Sequence, residues 1–204
     1  MTQTLDFLFD FASPNAYLCH RVLPAFAART GLTVNYQPVL LGGLFKATNN
    51  RAPFVAFADV PAKMQYEMLE LRRFVARHRI PFAMNPHFPV NTLALMRGAL
   101  AARDLGCFET YVEGMMHFMW EAPRKLDDPA VIADTLRELG LDAERILARS
   151  AEADIKQALL DGTAQAAARG AFGIPTFFLG DEMWFGKERL QDIEDHLNER
   201  KTND

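Results

Sequence analysis

The side chains that could act as nucleophiles or metal ligands are few and widely spaced. Cys19 and Cys107 form no CxxC pair and match no zinc spacing, so neither a disulfide framework, a metal site nor dithiol exchange is indicated. Cys19 is expected to be a small buried residue within a helix. The five histidines show no HxxxH or HExxH spacing, and no Gly-rich phosphate loop is present. The chain therefore offers no evident thiol pair or metal site of its own.

Ser13 lies where a short apolar strand gives way to a helix, in the segment Phe11-Ala12-Ser13-Pro14-Asn15. Serine is a preferred N-cap residue, and Pro14 suits the first helical position because its missing N–H group costs nothing there. From these residues alone, the N-cap role is favoured for Ser13. A cap residue can also contact a ligand, so the two roles can coexist.

Composition and charge exclude several classes of function. The chain has 204 residues, of which 50% are hydrophobic and 24% charged, which suits one compact core or a core with one large insertion. The net charge of -4 comes from interleaved acidic and basic residues, so no basic face for nucleic acid or an anionic membrane is expected. No basic leader and no membrane-spanning apolar run are found, and a reduced cytoplasmic setting is expected.

The first 40 residues follow a β-α-β pattern. A strand is predicted over residues 5–11, and a helix follows from Ser13 toward Gly31, with a kink at Pro24. Residues 32–39 alternate apolar and polar side chains, which predicts a second strand.

The middle of the chain has helical spacing. From Pro61 to about Gly170, apolar residues recur on single helix faces, with breaks suggested at prolines and glycines. A stripe of methionine, aromatic and aliphatic residues is expected to pack between helices: Leu93, Met96, Leu100, Phe108, Val112, Met115 and Phe118.

The end of the chain returns to strands. Residues 176–179 and 182–185 flank a Gly180-Asp181 turn, which indicates a β-hairpin, and residues 187–200 predict a closing helix. The order β-α-β, helical insert, β-β-α indicates an α/β fold. It corresponds to a thioredoxin-like domain (1–60 and 171–204) with a large inserted all-helical domain (61–170).

Two segments carry a family resemblance. Residues 9–18, Phe-Asp-Phe-Ala-Ser-Pro-Asn-Ala-Tyr-Leu, resemble the first strand and helix start of the DsbA-like branch, with Ser13 and Ala16 at the two positions of its CPxC cysteines. Residues 170–178, Gly-Ala-Phe-Gly-Ile-Pro-Thr-Phe-Phe, resemble the strand start of that branch with its cis-proline. Together with residues 41–46, 61–63, 91–97 and 185–190, the pattern is similar to 2-hydroxychromene-2-carboxylate isomerases and the related kappa-class glutathione transferases. The likeness covers nearly the whole chain.

The resemblance implies that glutathione is the cofactor and supplies the thiol that the protein lacks. Ser13 would hydrogen-bond the cofactor sulfur and favour its ionised form, because a hydrogen bond to the charged form lowers a pKa. Ile174, before a cis Pro175, would pair through its backbone with the extended cofactor. The resemblance further implies that Asn50 and Lys63 contact glutathione and that Glu188 lies near its γ-glutamyl end. Considered without the family, Lys63 and Lys187 would be ordinary solvated lysines.

Three functions remain open on the sequence. The leading one is a glutathione-dependent isomerase of aromatic degradation, in which the thiolate adds reversibly to a small aromatic substrate held in an apolar cleft. The second is a kappa-like transferase that conjugates glutathione to an electrophile. The third is a thioredoxin-like binding module without turnover. The family likeness also implies a homodimer.

Overall fold

A computed structural model describes the backbone of residues 3–203 and the side chains of residues 3–199. The strands are β1 (Thr4–Phe9), β2 (Thr33–Pro38), β3 (Thr176–Leu179) and β4 (Glu182–Phe185). The α-helices are α1 (Pro14–Thr30), α2 (Leu41–Ala47), α3 (Pro53–Ala56), α4 (Pro61–His78), α5 (Leu93–Asp104), α6 (Phe108–Trp120), α7 (Pro129–Glu138), α8 (Ala143–Ser150), α9 (Ala153–Ala168) and α10 (Leu190–Asn203). A short 3-10 turn, Lys187–Arg189, precedes α10.

The four strands form one mixed sheet in the order β2-β1-β3-β4. β1 runs parallel to β2 and antiparallel to β3, and β3 and β4 form the predicted hairpin. Phe7 lies beside Tyr36 of β2 on one side and Phe177 of β3 on the other. The central position of β1 buries its aromatic residues and places its C-terminal end next to the start of α1.

The sheet core is aromatic. Phe7, Phe9, Phe11 and Phe177 are fully buried, and the rings of Phe7 and Phe177 stack with centroids 5.3 Å apart. Burial of large aromatic side chains supplies much of the free energy that holds such a core together. The end of β1 is therefore held firmly, and so is the turn that follows it.

Helix α1 begins and ends as the sequence predicts. The Ser13 side chain caps its first turn, and Gly31 ends it with a φ of 77°, a left-handed conformation that glycine adopts without a steric penalty. Helix α1 is continuous through Pro24, and a kink there stays a prediction.

The helical middle agrees with its predicted spacing. α5 packs against α6, α8 and α9, and the predicted stripe lies in or against the hydrophobic core. The α/β thioredoxin-like fold with a helical insertion is confirmed, whereas the domain boundaries at residues 60 and 170 stay a prediction. Within the described residues, no helix is long and apolar enough to cross a membrane.

Three predicted elements had bounds that were wrong by a few residues. β1 ends at Phe9 rather than Phe11, because the chain leaves the strand to form a turn in which the Ser13 N–H donates to the Asp10 carbonyl oxygen at 3.0 Å. β2 spans only Thr33–Pro38, the length over which β1 pairs with it. The closing α-helix starts at Leu190, after the 3-10 turn.

Candidate active site

Ser13 joins the start of α1 to the peptide before Pro175. Its Oγ accepts a hydrogen bond from the Ala16 N–H at 3.1 Å and donates one to the Ile174 carbonyl oxygen at 3.1 Å. The Ile174-Pro175 bond is cis, as predicted, and Ser13 is only 4% exposed. The helix start and the cis-proline therefore form one unit, which brings together two segments 160 residues apart in the chain.

Several backbone N–H groups at this point have no hydrogen-bond partner within the part of the chain that the structure describes. They include the N–H of Asn15, in the first turn of α1, and that of Ile174. An unpaired N–H at a helix start attracts an anion, and an unpaired N–H in an extended segment can pair with an added strand. Both groups are available to a ligand.

These groups open into a cavity of about 440 Å³. Its size lies within the roughly 300 to 1,000 Å³ that is usual for small-molecule sites. Ser13, Asn15 and Ile174 contribute to its lining. The remaining lining is mainly apolar and includes aromatic and methionine side chains, among them Phe45, Phe54, Phe57, Met64, Met68 and Phe88, with Arg51 and Glu67 as its charged residues. The cavity therefore combines an anion-attracting backbone with walls suited to a flat apolar molecule.

Asn50 lies in this cavity wall, and its side chain closes a gap between two segments. Its Nδ2 donates to the Phe172 carbonyl oxygen at 2.8 Å, and its Oδ1 accepts from the Arg51 N–H at 2.8 Å. Asn50 thereby ties the loop after α2 to the segment that leads into Ile174. This contact places the loop next to the unpaired Ile174 N–H.

The other predicted cofactor contacts lie outside the cavity lining. Lys63 is exposed, and its Nζ lies 3.4 Å from the centroid of the Phe57 ring, which itself lines the cavity. Pro175 follows Ile174 and shapes the backbone rather than the wall. Glu188 forms an ion pair with Lys187 at the start of the last helical segment. The roles of Lys63, Pro175 and Glu188 toward glutathione stay predictions.

The expectation that Lys187 is a solvated surface lysine was wrong. Its side chain is 3% exposed, and its ammonium group pairs with Glu188 and lies 5.7 Å from the centroid of the Phe74 ring. A buried ammonium group needs a counter-charge because burial disfavours an isolated charge. The neighbouring carboxylate and the ring face supply that compensation.

Cys19 does not contribute a nucleophile. Its side chain is fully buried in α1, as predicted, and burial raises the pKa of its thiol well above the ordinary value. A protonated, inaccessible thiol is unreactive. The site beside Ser13 therefore contains no reactive sulfur from this residue.

A second, more open cleft of about 570 Å³ lies along the edge strand β2. Within it, His20 bridges the Tyr36 hydroxyl at 2.9 Å and a Glu113 carboxylate oxygen at 2.8 Å. It is larger than the Ser13 cavity, but it contains none of the predicted site residues, and its hydrogen bonds join α1, β2 and α6 to one another. The cavity at Ser13 is therefore the candidate active site.

Three features of the site were not expected from the sequence. Phe54, on the short helix α3, lies with its ring centroid 5.7 Å from that of Phe88 across the cavity wall. The Phe88-Pro89 bond is also cis, and it sits just before α5. Asp10 is buried under the Ser13 turn and accepts three hydrogen bonds. The sequence signal for the role of Asp10 was an acidic residue at the end of an aromatic strand.

The fold and this site define a class of proteins. Residues 4–198 match the family described as DSBA-like thioredoxin domain, and the chain belongs to that family.

Individual proteins of known name are similar to this chain over nearly its whole length. The chain is 30% identical over 201 residues to 2-hydroxychromene-2-carboxylate isomerase of Sphingobium xenophagum, covering 97% of this chain and 99% of the relative. A solved structure titled 2-hydroxychromene-2-carboxylate isomerase matches with a TM-score of 0.83 and 27% identity, over 98% of this chain and 97% of the other. Glutathione S-transferase kappa 1 of Homo sapiens is 23% identical over 218 residues, covering 98% and 93%. The prediction of an isomerase-like enzyme is confirmed by these relatives.

Proposed function

We propose that this protein is a glutathione-dependent isomerase acting on 2-hydroxychromene-2-carboxylate or a similar intermediate of aromatic degradation. The observation that carries the proposal is a serine hydroxyl at a helix start, beside a cis-proline and open to an apolar cavity. The names of the relatives support the substrate and the reaction type. The kappa-class relatives support glutathione as the thiol.

The residues present fit a peptide-like thiol. The unpaired Ile174 N–H would receive a carbonyl oxygen of the extended cofactor, and the unpaired Asn15 N–H would face its sulfur. Asn50, Lys63, Pro175 and Glu188 are proposed to hold the remainder of glutathione. Asn50 already lies in the cavity wall, next to the segment that carries Ile174.

When bound, glutathione would supply a thiolate that adds reversibly to a conjugated carbon of the substrate and leaves after rotation about the former double bond. Ser13 would turn its hydroxyl from the Ile174 carbonyl toward the sulfur and donate a hydrogen bond to the ionised form. The first-turn N–H of Asn15 would add a partial positive charge at the same point.

The apolar walls would hold the ring system of the substrate and exclude water. Phe54 and Phe88 form an edge-to-face pair in this wall, and the thioether side chains of Met64 and Met68 adapt to a flat ring. Exclusion of water strengthens the hydrogen bonds that stabilise charge in the site. The reaction would oxidise nothing and consume no cofactor.

The enzyme is proposed to act in the cytoplasm as a homodimer, on the family likeness. Sedimentation velocity at micromolar concentration measures the oligomeric state. A single species of twice the mass of the 23.0 kDa chain is expected, and a monomer would remove the dimer from the proposal.

The function is tested by following isomerisation of 2-hydroxychromene-2-carboxylate by its ultraviolet spectrum, with and without glutathione. We expect turnover only with glutathione. We also expect S-methylglutathione to inhibit competitively with glutathione, because it keeps the backbone contacts but has no free thiol. Equal turnover without any thiol would remove glutathione from the mechanism.

A further inference from the structure

Asp10 is a buried carboxylate at a junction of three segments. It follows the last residue of β1 and is 1% exposed. Its Oδ1 accepts hydrogen bonds from the Ala12 N–H at 2.9 Å and from the Thr92 hydroxyl at 2.6 Å, and its Oδ2 accepts one from the Leu41 N–H at 2.7 Å. The three donors lie far apart in the sequence. One carboxylate therefore holds together parts of the chain that contact one another in the folded protein only.

Each of these segments contributes to the cavity. Ala12 and Ser13 line it beside the cis-proline, and Leu41 lines it from the start of α2. Thr92 directly precedes α5 and follows the cis Phe88-Pro89 bond, and the Phe88 ring lines the cavity as well. Asp10 thus connects the side that would hold the thiol to the aromatic side that would hold the substrate.

Asp10 also acts as a helix cap. The cap residue of α2, Leu40, has no polar side chain, and Asp10 accepts the Leu41 N–H in its place. At α5 the Thr92 hydroxyl donates to Asp10, while the Leu93 N–H donates to the Asn91 side chain at 3.1 Å. Burial raises the pKa of the Asp10 carboxyl, while the three hydrogen bonds act against that rise. Burial of a carboxylate costs folding free energy unless hydrogen bonds compensate for it. A buried carboxylate with three donors from separate segments therefore holds those segments in one arrangement.

We propose that Asp10 is a positioning residue of the active site, whose carboxylate holds the Ser13 turn, the start of α2 and the start of α5 at a set separation. This inference rests on the proposed function for its kinetic consequence. Small misplacements of reacting groups cost much of the rate, so loosening the junction would lower kcat without loss of ligand contacts.

The first test changes the junction and leaves every cavity-lining side chain in place. Thr92→Val removes the hydroxyl that joins α5 to Asp10, and Thr92→Ser keeps it. Thr135→Val is the matched control, because Thr135 of α7 is fully buried, accepts a hydrogen bond from the Arg124 side chain at 3.0 Å and lies outside the cavity. Kinetics are measured well below the melting temperature and expressed per folded molecule.

We expect Thr92→Val to lower kcat by about ten- to a hundredfold while KM changes by about twofold or less, and Thr92→Ser to recover most of the rate. Thr135→Val should leave kcat unchanged. An unchanged kcat per folded molecule in Thr92→Val would reduce Asp10 and Thr92 to structural residues and overturn the proposal. An equal loss of kcat in Thr135→Val would also overturn the proposal, because the effect would then not be specific to the junction at Asp10.

A second measurement needs no ligand, so it separates this inference from the proposed function. Asp10→Asn keeps the shape but offers one acceptor oxygen where the carboxylate offers two, so one of the two backbone donors must face an amide N–H group. Amide hydrogen exchange should then be faster by about tenfold or more at Leu41 or Ala12, with the core amides of β1 much less affected. Unchanged exchange at both sites would overturn the positioning role, even if isomerase activity were never found.

Discussion

Replacing Ser13 by alanine separates its two roles, since the structure gives the hydroxyl two partners. The Ala16 N–H loses its cap acceptor, which costs about 1 kcal/mol of folding stability. The buried Ile174 carbonyl loses its donor, which costs roughly another 1 kcal/mol or more. We therefore expect Ser13→Ala to lose about 2 kcal/mol of unfolding free energy in total.

The effect on the bound thiol follows from a competition between two acceptors. A hydrogen bond to a charged group contributes about 1.5 to 3 kcal/mol, but Ser13 gives up its bond of roughly 1 kcal/mol to the Ile174 carbonyl in order to make it. The net preference for the thiolate is then about 0.5 to 2 kcal/mol, which corresponds to a pKa rise of roughly one unit in Ser13→Ala. Glutathione affinity should change little, because the proposed backbone contacts remain.

The assay is the ultraviolet absorbance of the thiolate in the glutathione complex, titrated against pH in wild type and Ser13→Ala. Asp128→Ala is the matched control, because the half-buried Asp128 also caps a helix, accepting from the Ala130 N–H at 2.9 Å, but at the start of α7 and outside the cavity lining. The control should lose about 1 kcal/mol of stability with an unchanged thiol titration. Superimposable titration curves for wild type and Ser13→Ala would refute the catalytic role and leave Ser13 as a helix cap.

Three further predictions concern substrate binding in the cavity, packing in the core and stability at acid pH. Phe54→Ala should raise KM for the aromatic substrate by about three- to tenfold in steady-state kinetics, with little loss of stability because the side chain is 42% exposed. Gly98→Ala should lose about 1 to 3 kcal/mol in urea unfolding, since its Cβ would lie 2.1 Å from the Tyr111 hydroxyl oxygen, and adding Tyr111→Phe should recover part of it. The hydrogen bond from His20 holds the pKa of the Glu113 carboxyl below its ordinary value. The stabilisation by Glu113 is therefore present above the ordinary pKa of a glutamate and is lost as pH falls through the lowered, folded-state pKa. Glu113→Gln should therefore flatten the decline of melting temperature on the acid side.

Local features of the site could be predicted from the sequence. The Ser13 cap and Pro14 define the start of α1 through contacts within one helical turn, so their residue types are sufficient evidence. The cis bond before Pro175 was predicted from the likeness of residues 170–178, and its position beside Ser13 followed from the fold that the likeness implied.

Contacts between distant segments could not be predicted in the same way. The hydrogen bonds of Asp10 reach Leu41 and Thr92, and no periodicity in the chain links those positions. The burial of Lys187 depends on Phe74 of α4, which packs there only in the folded protein. The contacts of these residues form only when the sheet and the helices pack together, because tertiary packing overrides local preference.

In the proposed reaction, glutathione takes part and is returned unchanged. This is measured by supplying glutathione at a small fraction of the substrate concentration and following both isomer and free thiol to the end of the reaction. We expect complete conversion of the substrate, with all of the free thiol recovered. Conversion that stops when one glutathione has been consumed per molecule of product, with a stable conjugate formed, would contradict it and identify the enzyme as a transferase.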